Sequence, residues 1–356
     1  MGLFIAQEEA RLENVRHFST SVAGAEFNVA VGLTRLGHRV GYLSKVGDDP
    51  FGRQIVNCMN ENGIDTSLTK IDPNNRTGFM LKSKTSQGDP DIYYYRKASA
   101  ASTLCPEDLR EVDVAAWDAL HLTGILPAVS DTARAAVFKL MRAAKEAGVP
   151  TFFDPNLRPQ LWPSQKLMVK TINELAAIAD YVLPGENEGK TLCGSADPEM
   201  IGKFYLDLGS GVVIVKTGAS GAETYTKTGR FHTDAYPPDK IVDTVGAGDG
   251  FAAGVISGVM EGLPLAQAVQ RGSAIGTIQI MDTAFADLQK RGVAEALLWE
   301  RKPVTVAGLE KAIGKKTFAE VSTGHVTKSP GKPTLVPESD NRPVFNAAAQ
   351  AFKQIN

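Results

Sequence analysis

The sequence predicts an α/β fold: a mostly parallel central sheet with helices on both faces, plus a small β-sheet elaboration. Three observations predict it. Short strand-like runs alternate with amphipathic helical stretches along the chain. Each run ends in a polar or glycine-containing loop (Thr123-Gly124, Asp154-Pro-Asn, Pro184-Gly-Glu, Lys216-Thr-Gly), the end at which open parallel sheets bind ligands. One segment, 77–96, departs from the alternation. Its short aromatic-rich runs around Ser86-Gln-Gly-Asp-Pro read as a β-hairpin unit.

In chain order, the expected strands are 39–45, 119–123, 150–154, 181–184 and 212–217, and the amphipathic stretches between them are 131–147, 165–179 and 196–209. A further helix begins at Asp249-Gly-Phe-Ala-Ala-Gly-Val-Ile-Ser-Gly-Val-Met. Gly250, Gly254 and Gly258 recur there every four positions, so one face is expected to lie very close to a neighbouring sheet. The helix is preceded by Asp243-Thr244-Val245-Gly246-Ala247-Gly248. The first amides of a helix have no intrahelical partner and the helix dipole is positive there, so Gly246, Ala247 and Gly248 present donors to an anion with no side chain in the way. Asp249 then stands beside an anion hole, where a general base takes the proton of a hydroxyl attacking a γ-phosphorus. The plainer reading, that Asp249 only starts a helix, carries equal weight for an isolated Gly-Ala-Gly-Asp.

Composition excludes several classes. A net charge of −2, with no basic run and no aromatic-basic interleaving, asks for neither nucleic acid nor an anionic membrane. Three scattered cysteines, Cys58, Cys105 and Cys193, fit neither a disulfide framework nor zinc spacing and read as reduced, buried residues of a cytoplasmic protein. No export or anchoring signal and no membrane-length apolar run is found. The five histidines show no ligand spacing, and His121, in an apolar strand, is expected to be a satisfied core histidine. No Gly-x-Ser-x-Gly elbow or Walker A sequence is present.

The string from Asp243 to Asp249 resembles the D-T-x-G-A-G-D motif of the ribokinase-like (PfkB) carbohydrate kinases. Gly24-Ala25-Glu26-Phe27-Asn28-Val29-Ala30 with Leu33-Thr34-Arg35-Leu36-Gly37, then Val46-Gly47-Asp48-Asp49-Pro50-Phe51-Gly52 and Asn62-Gly63-Ile64-Asp65, follow in that family's order. Tyr93-Tyr94-Tyr95-Arg96-Lys97-Ala98-Ser99-Ala100-Ala101 and the stretch from Asp154-Pro155-Asn156-Leu157-Arg158 to Ser164 are similar to the 2-dehydro-3-deoxygluconokinase group.

The resemblance, over about residues 10 to 282, implies a ribokinase-like fold over 1–285 with a β lid at about 8–23 and 71–100. It implies ATP-dependent phosphorylation of an acid sugar, with Mg²⁺. Asp249 is the implied base, over the amides of Gly246, Ala247 and Gly248. Gly24, Asn28, Tyr94 and Arg96 are implied sugar contacts, and Arg158 serves the acid sugar or the transferring phosphoryl group; its planar guanidinium suits either through paired hydrogen bonds. Lys216, Thr217, Gly218 and Gly221 are implied at the nucleotide, Asp243 and Thr244 as positioning the anion hole, and Glu188 as orienting Mg²⁺ through water. The lid's open β edge offers a homodimer interface.

Three departures qualify this. The family's N-x-x-E reads here Gly185-Glu186-Asn187-Glu188, which puts metal affinity in question. Only Leu3-Phe4-Ile5-Ala6 remains where the family has a first strand ending in an acidic residue, so the central sheet is expected to lack a strand. Beyond Met281 the chain runs in helical periodicity at 288–313, then through Lys-, Pro- and Ser-rich sequence to a short helix at 346–354. Segments of this 286–356 extension resemble the C-terminal part of a phage-encoded, nuclease-associated family, without a carboxylate cluster for nuclease chemistry. The alternatives are a kinase for another sugar, fructose-like or 5-dehydro-2-deoxygluconate, and a catalytically silent sugar- or nucleotide-binding protein.

Overall fold

The computed structural model describes residues 1–85, 90–236 and 246–278. These fall in one unit, Met1–Arg301; a second unit, Lys302–Asn356, lies outside the described residues, as do the helices expected at 288–313 and 346–354. The strands are β1 (Gly2–Ala6), β2 (Phe18–Val22), β3 (Ser44–Gly47), β4 (Thr69–Asp72), β5 (Phe79–Lys82), β6 (Ile92–Tyr95), β7 (Leu120–Thr123), β8 (Thr151–Asp154), β9 (Tyr181–Val182), β10 (Val212–Lys216), β11 (Ala222–Thr226) and β12 (Gly229–Thr233). The helices are α1 (Ala25–Arg35), α2 (Pro50–Glu61), α3 (Leu126–Val129), α4 (Asp131–Ala147), α5 (Gln165–Ala176), α6 (Glu186–Leu192), α7 (Pro198–Leu208), α8 (Ala247–Met260) and α9 (Leu265–Ile278).

The central sheet has the order β12-β11-β10-β9-β8-β7. β7 to β10 run parallel, and β11 and β12 extend the sheet as antiparallel hairpins. Its middle strands are apolar on both faces because helices cover both. Phe152 and Phe153, both fully buried, show the period-two split. Phe153 joins Met141, Met168 and Ile172 on the α4 and α5 side, whereas Phe152 joins Val29, Phe251 and Val255 on the α1 and α8 side. Ser130 and Ser164 accept the amides of Ala133 and Leu167 and so start α4 and α5 where the sequence predicts.

The glycine stripe of α8 packs on a helix rather than on the expected sheet. A Cβ on Gly254 would lie 2.7 Å from Arg271 O, and one on Gly258 2.6 Å from Ala268 Cα, both on α9. On another side, a Cβ on Gly32 of α1 would meet Ala253 Cβ at 2.8 Å. Small residues therefore let α1, α8 and α9 close into one layer. That layer fixes the N-terminus of α8 against α1.

A second sheet has the order β2-β1-β5-β6. Leu3–Ala6 thus belongs to this lid sheet, antiparallel to β2 and parallel to β5, and is not a remnant of the central sheet. Thr69–Asp72, at the start of the expected second lid segment, pairs instead with β3. Among the described residues the central sheet ends at β7. Aromatic rings bind the lid to α2: Phe51 lies 5.3 Å from Phe4 and 6.2 Å from Phe79. The Gly47–Gly52 block is a structural device: Asp49 accepts the amides of Gly52 at 2.8 Å and Thr77 at 2.7 Å, capping α2 and tying it to β5's approach.

Candidate active site

The N-terminus of α8 begins at Gly246, whose φ of 93° requires glycine, and continues through Ala247 and Gly248 to Asp249. Asp249 is 9% exposed and accepts a 2.7 Å hydrogen bond from Asn28 Nδ2 on α1. Burial pushes its carboxyl up to about 7 from the ordinary 3.8; Asn28 and Lys216 favour the charged form, and the Asp154 and Glu26 carboxylates oppose it. A carboxylate poised near neutrality beside free helix amides has the properties of a general base at an anion hole.

Lys216, at the end of β10, gives that hole a cation. Its Nζ donates to Asp154 Oδ2 at 2.8 Å, and a Cβ placed on Gly248 would lie 3.8 Å from it. Burial opposes the ammonium, but Asp154 and Glu188 outweigh burial and hold its pKa above the ordinary value. The Thr217–Gly221 turn follows. Gly221, with a φ of 100°, has no room for a Cβ, which would lie 2.0 Å from Thr233 O, and the buried Thr217 Oγ1 has no hydrogen-bond partner among the described residues. An unpartnered hydroxyl beside a tight turn leading from the cationic end of β10 fits a phosphate-bearing ligand.

The sugar side is built from two elements far apart in sequence. Arg158, in the loop after β8, donates from Nε to Tyr94 Oη of the lid strand β6 at 3.2 Å and from a terminal nitrogen to Leu157 O at 2.8 Å. Gly24 caps α1 and its carbonyl accepts the Asn28 amide at 2.8 Å. Burial lowers the pKa of the Met1 amine to about 5; the Arg96 charge adds to that fall and Glu26 opposes it. Asp243 and Thr244 lie outside the described residues.

Glu188, the residue expected to orient Mg²⁺ through water, is anchored by the backbone. Its two oxygens accept the amides of Leu157 at 2.9 Å and Gly185 at 2.8 Å, which starts α6 and pins the loop carrying Arg158. Burial raises its pKa and Lys216 opposes the rise. The described residues contain no group of three His, Cys, Asp or Glu side chains able to hold a metal. Such a donor set fits a Mg²⁺ ion only as one carried on phosphates and met by the protein through water.

Sequence reading missed Asp154, Glu26 and Thr123. Asp154 holds Lys216 and accepts the Asn156 amide at 3.1 Å; Thr123 donates to Glu26 at 2.5 Å. The signal for the first was visible, since Asp154 ends a strand on the ligand side of the sheet. His121 is a correction: among the described residues neither buried ring nitrogen has a hydrogen-bond partner, and burial lowers its pKa. The three cysteines are free, as expected, but half-buried rather than buried.

A helix-terminal anion hole with a buried carboxylate and a lid over the sheet's carboxyl edge defines a class of α/β phosphotransferase. Residues 2–288 match the pfkB family carbohydrate kinases, and the chain belongs to that family. Residues 267–343 also match a protein family of unknown function (DUF2800). The chain is 46% identical over 281 residues to the 2-dehydro-3-deoxygluconokinase of Bacillus subtilis (strain 168), covering 79% of this chain and 87% of that one. It is 34% identical over 281 residues to the 5-dehydro-2-deoxygluconokinase of Geobacillus thermodenitrificans (strain NG80-2), covering 78% and 83%. Its fold matches the crystal structure of a PfkB protein from Polaromonas sp. JS666 with a TM-score of 0.74 at 41% identity, covering 82% and 97%. A protein from E.coli described as a ribokinase II, in complex with ATP and Mg²⁺, matches with a TM-score of 0.71 at 26% identity, covering 79% and 90%. No helix among the described residues is long and apolar enough to cross a membrane.

Proposed function

We propose that this chain transfers the γ-phosphoryl group of ATP to the terminal hydroxyl of 2-dehydro-3-deoxy-D-gluconate. The observation that carries the substrate is the 46% identity to the Bacillus subtilis kinase across 87% of its length. The site supports the chemistry. The substrate hydroxyl oxygen attacks the γ-phosphorus as its proton passes to Asp249, and the bond to the ADP oxygen breaks. The amides at 246–248 and the Lys216 ammonium hold the charge on the phosphoryl oxygens. Arg158, held by Tyr94 and Leu157, meets the sugar's carboxylate. Mg²⁺, when bound, neutralises phosphate charge. Thr217, Gly218 and Gly221 serve the nucleotide side, Gly24, Asn28 and Arg96 the sugar side, and Glu188 orients Mg²⁺ through water; Asp243 and Thr244, whose expected role is to position the anion hole, lie outside the described residues.

The test is ADP release by the full chain with ATP, Mg²⁺ and 2-dehydro-3-deoxygluconate, against 5-dehydro-2-deoxygluconate and fructose. Asp249→Asn should lower kcat by about 10²- to 10⁴-fold. Faster turnover of 5-dehydro-2-deoxygluconate would move the assignment to the activity of the Geobacillus relative. ATP binding without turnover would leave a silent binder. Residues 1–285 form the kinase in this reading and 286–356 an extension to it, so truncation after residue 285 should preserve turnover. A cytoplasmic homodimer joined through the lid completes the proposal, with sedimentation as its check.

A further inference from the structure

Among the described residues two other than glycine have a left-handed backbone, Ala98 with a φ of 53° and Asn156 with a φ of 39°. Each stands two residues from an arginine of the sugar side, Ala98 after Arg96 and Asn156 before Arg158. An L-residue is strained in this region, alanine more than asparagine, and keeps such a conformation only where its surroundings over-determine it.

At Asn156 two carboxylates do so. Asp154, 2% exposed, accepts the Asn156 amide at 3.1 Å through Oδ1, the hydrogen bond of an Asx turn, while its Oδ2 keeps Lys216 Nζ at 2.8 Å. Glu188 accepts the next amide, that of Leu157, at 2.9 Å. Pro155 is held from behind, since a Cβ on Gly124 would lie 2.2 Å from its carbonyl oxygen. With Pro155, Asn156 and Leu157 fixed, the direction of the chain into Arg158 is set. Arg158 Nε then reaches Tyr94 Oη at 3.2 Å.

Ala98 lies in a tight turn just after β6. Ser99 donates to Arg96 O at 3.3 Å, which puts Ala98 at the third of four turn positions, where a positive φ selects glycine or asparagine. The far side of the turn is pinned: Ser99 bridges to Arg76, and Ala100 donates to Arg76 O at 2.8 Å. Ser99 and Ala100 are buried, whereas Ala98 is exposed, so packing of its methyl group does not account for its conformation.

We propose that Asn156 and Ala98 are positioning residues whose left-handed turns aim Arg158 and Arg96 at the acid sugar. The backbone conformation at 156 and 98, and not either side chain, sets the affinity for that substrate. The inference rests on the sugar role of the two arginines proposed above.

The experiment uses the full chain with ATP, Mg²⁺ and 2-dehydro-3-deoxygluconate, and reads kcat, both KM values and Tm for Asn156→Gly, Asn156→Ala, Ala98→Gly and Ala98→Val. Glycine takes the left-handed conformation freely, whereas alanine at 156 and a β-branched residue at 98 are driven out of it. Asn156→Ala and Ala98→Val should each raise the sugar KM at least about fivefold, and the glycine variants should stay within about twofold of the parent. The KM for ATP should stay within about twofold in all four, because Asp154 retains Lys216. A lowered Tm in Asn156→Ala and Ala98→Val with the parent's sugar KM would mean a structural role only and overturns the proposal. A glycine variant as impaired as its strained counterpart overturns it too, since the side chain would then be what acts. Arg96→Met and Arg158→Met in the same assay separate the two claims. Arginine variants with the parent's sugar KM overturn the sugar role underneath, and impaired arginine variants beside unimpaired Asn156→Ala and Ala98→Val overturn the positioning alone.

Discussion

Asn28 on α1 and Asp249 on α8 stand 221 residues apart in the chain and share a 2.7 Å hydrogen bond. Nδ2 donates, so the bond favours the charged carboxylate, while burial disfavours it and leaves the pKa at about 7. With Asp249 as base, kcat/KM should rise with pH along a limb centred near 7. Asn28→Ala removes the donor and should move that limb up by about one pH unit. Rate profiles from pH 5 to 9 check this. A limb left in place by the substitution would sever Asp249 from the pH dependence.

The same carboxylate sets a pH dependence of stability. Its folded pKa, about 7, lies above the ordinary 3.8, so the folded state holds the proton more tightly than the unfolded state. The resulting stabilisation is complete below pH ~3.8 and is lost progressively as pH rises to ~7, by roughly 4 kcal/mol in all. Asp249→Asn cannot lose it. Its Tm should match the parent's near pH 4 and exceed it by a growing margin up to pH 7, then level off. A margin independent of pH would mean that the carboxylate is not desolvated.

The element order was legible from periodicity. Helices at Asp131–Ala147 and Pro198–Leu208 and strands at Thr151–Asp154 and Val212–Lys216 lie within a few residues of their predicted ends, because the Ser130 and Asp197 caps and two-sided apolar runs are local signals. Sheet membership was not local. Leu3–Ala6 has the composition of a central strand, yet its partners are Phe18–Val22 and Phe79–Lys82. Its assignment depends on pairing across more than 70 residues. At the site, the motif placed Asp249 and Asn28, whose contact the structure shows. It did not show that Glu188 spends both oxygens on backbone amides, or that Asp154 engages Lys216, since a carboxylate's partner is a tertiary fact.

That Asp154–Lys216 pair is the charge balance of the site. Asp154 is 2% exposed and Lys216 is the cation beside both it and Glu188. Lys216→Met should destabilise the fold by about 3 to 5 kcal/mol, because it leaves a buried carboxylate unpaired. Asp154→Asn in the Lys216→Met background should recover a large part of that loss. Denaturant unfolding of the two single variants and the double variant measures the coupling. Additive losses would show that the pair is not energetically linked.

Gly185 is the position where the chain departs from the family's N-x-x-E, and the structure shows that the departure is not forced. Its φ of −96° suits any residue, and a Cβ there would lie 3.6 Å from Glu188 Oε2 and 4.0 Å from Lys216 O, both ordinary contacts. Gly185 is also the N-cap of α6, where asparagine outperforms glycine by a few tenths of a kcal/mol. Gly185→Asn should therefore fold with an unchanged or slightly raised Tm. An asparagine amide at this helix start adds a polar group beside the Glu188 carboxylate, so the Mg²⁺ concentration for half-maximal ADP release should fall about threefold while kcat stays within about twofold, as expected for about one net hydrogen bond's contribution. A titration of Mg²⁺ at saturating ATP and sugar reads both numbers. An unchanged Mg²⁺ requirement in a variant of normal stability would show that position 185 does not govern the metal, and that Glu188 serves the fold by pinning the Arg158 loop.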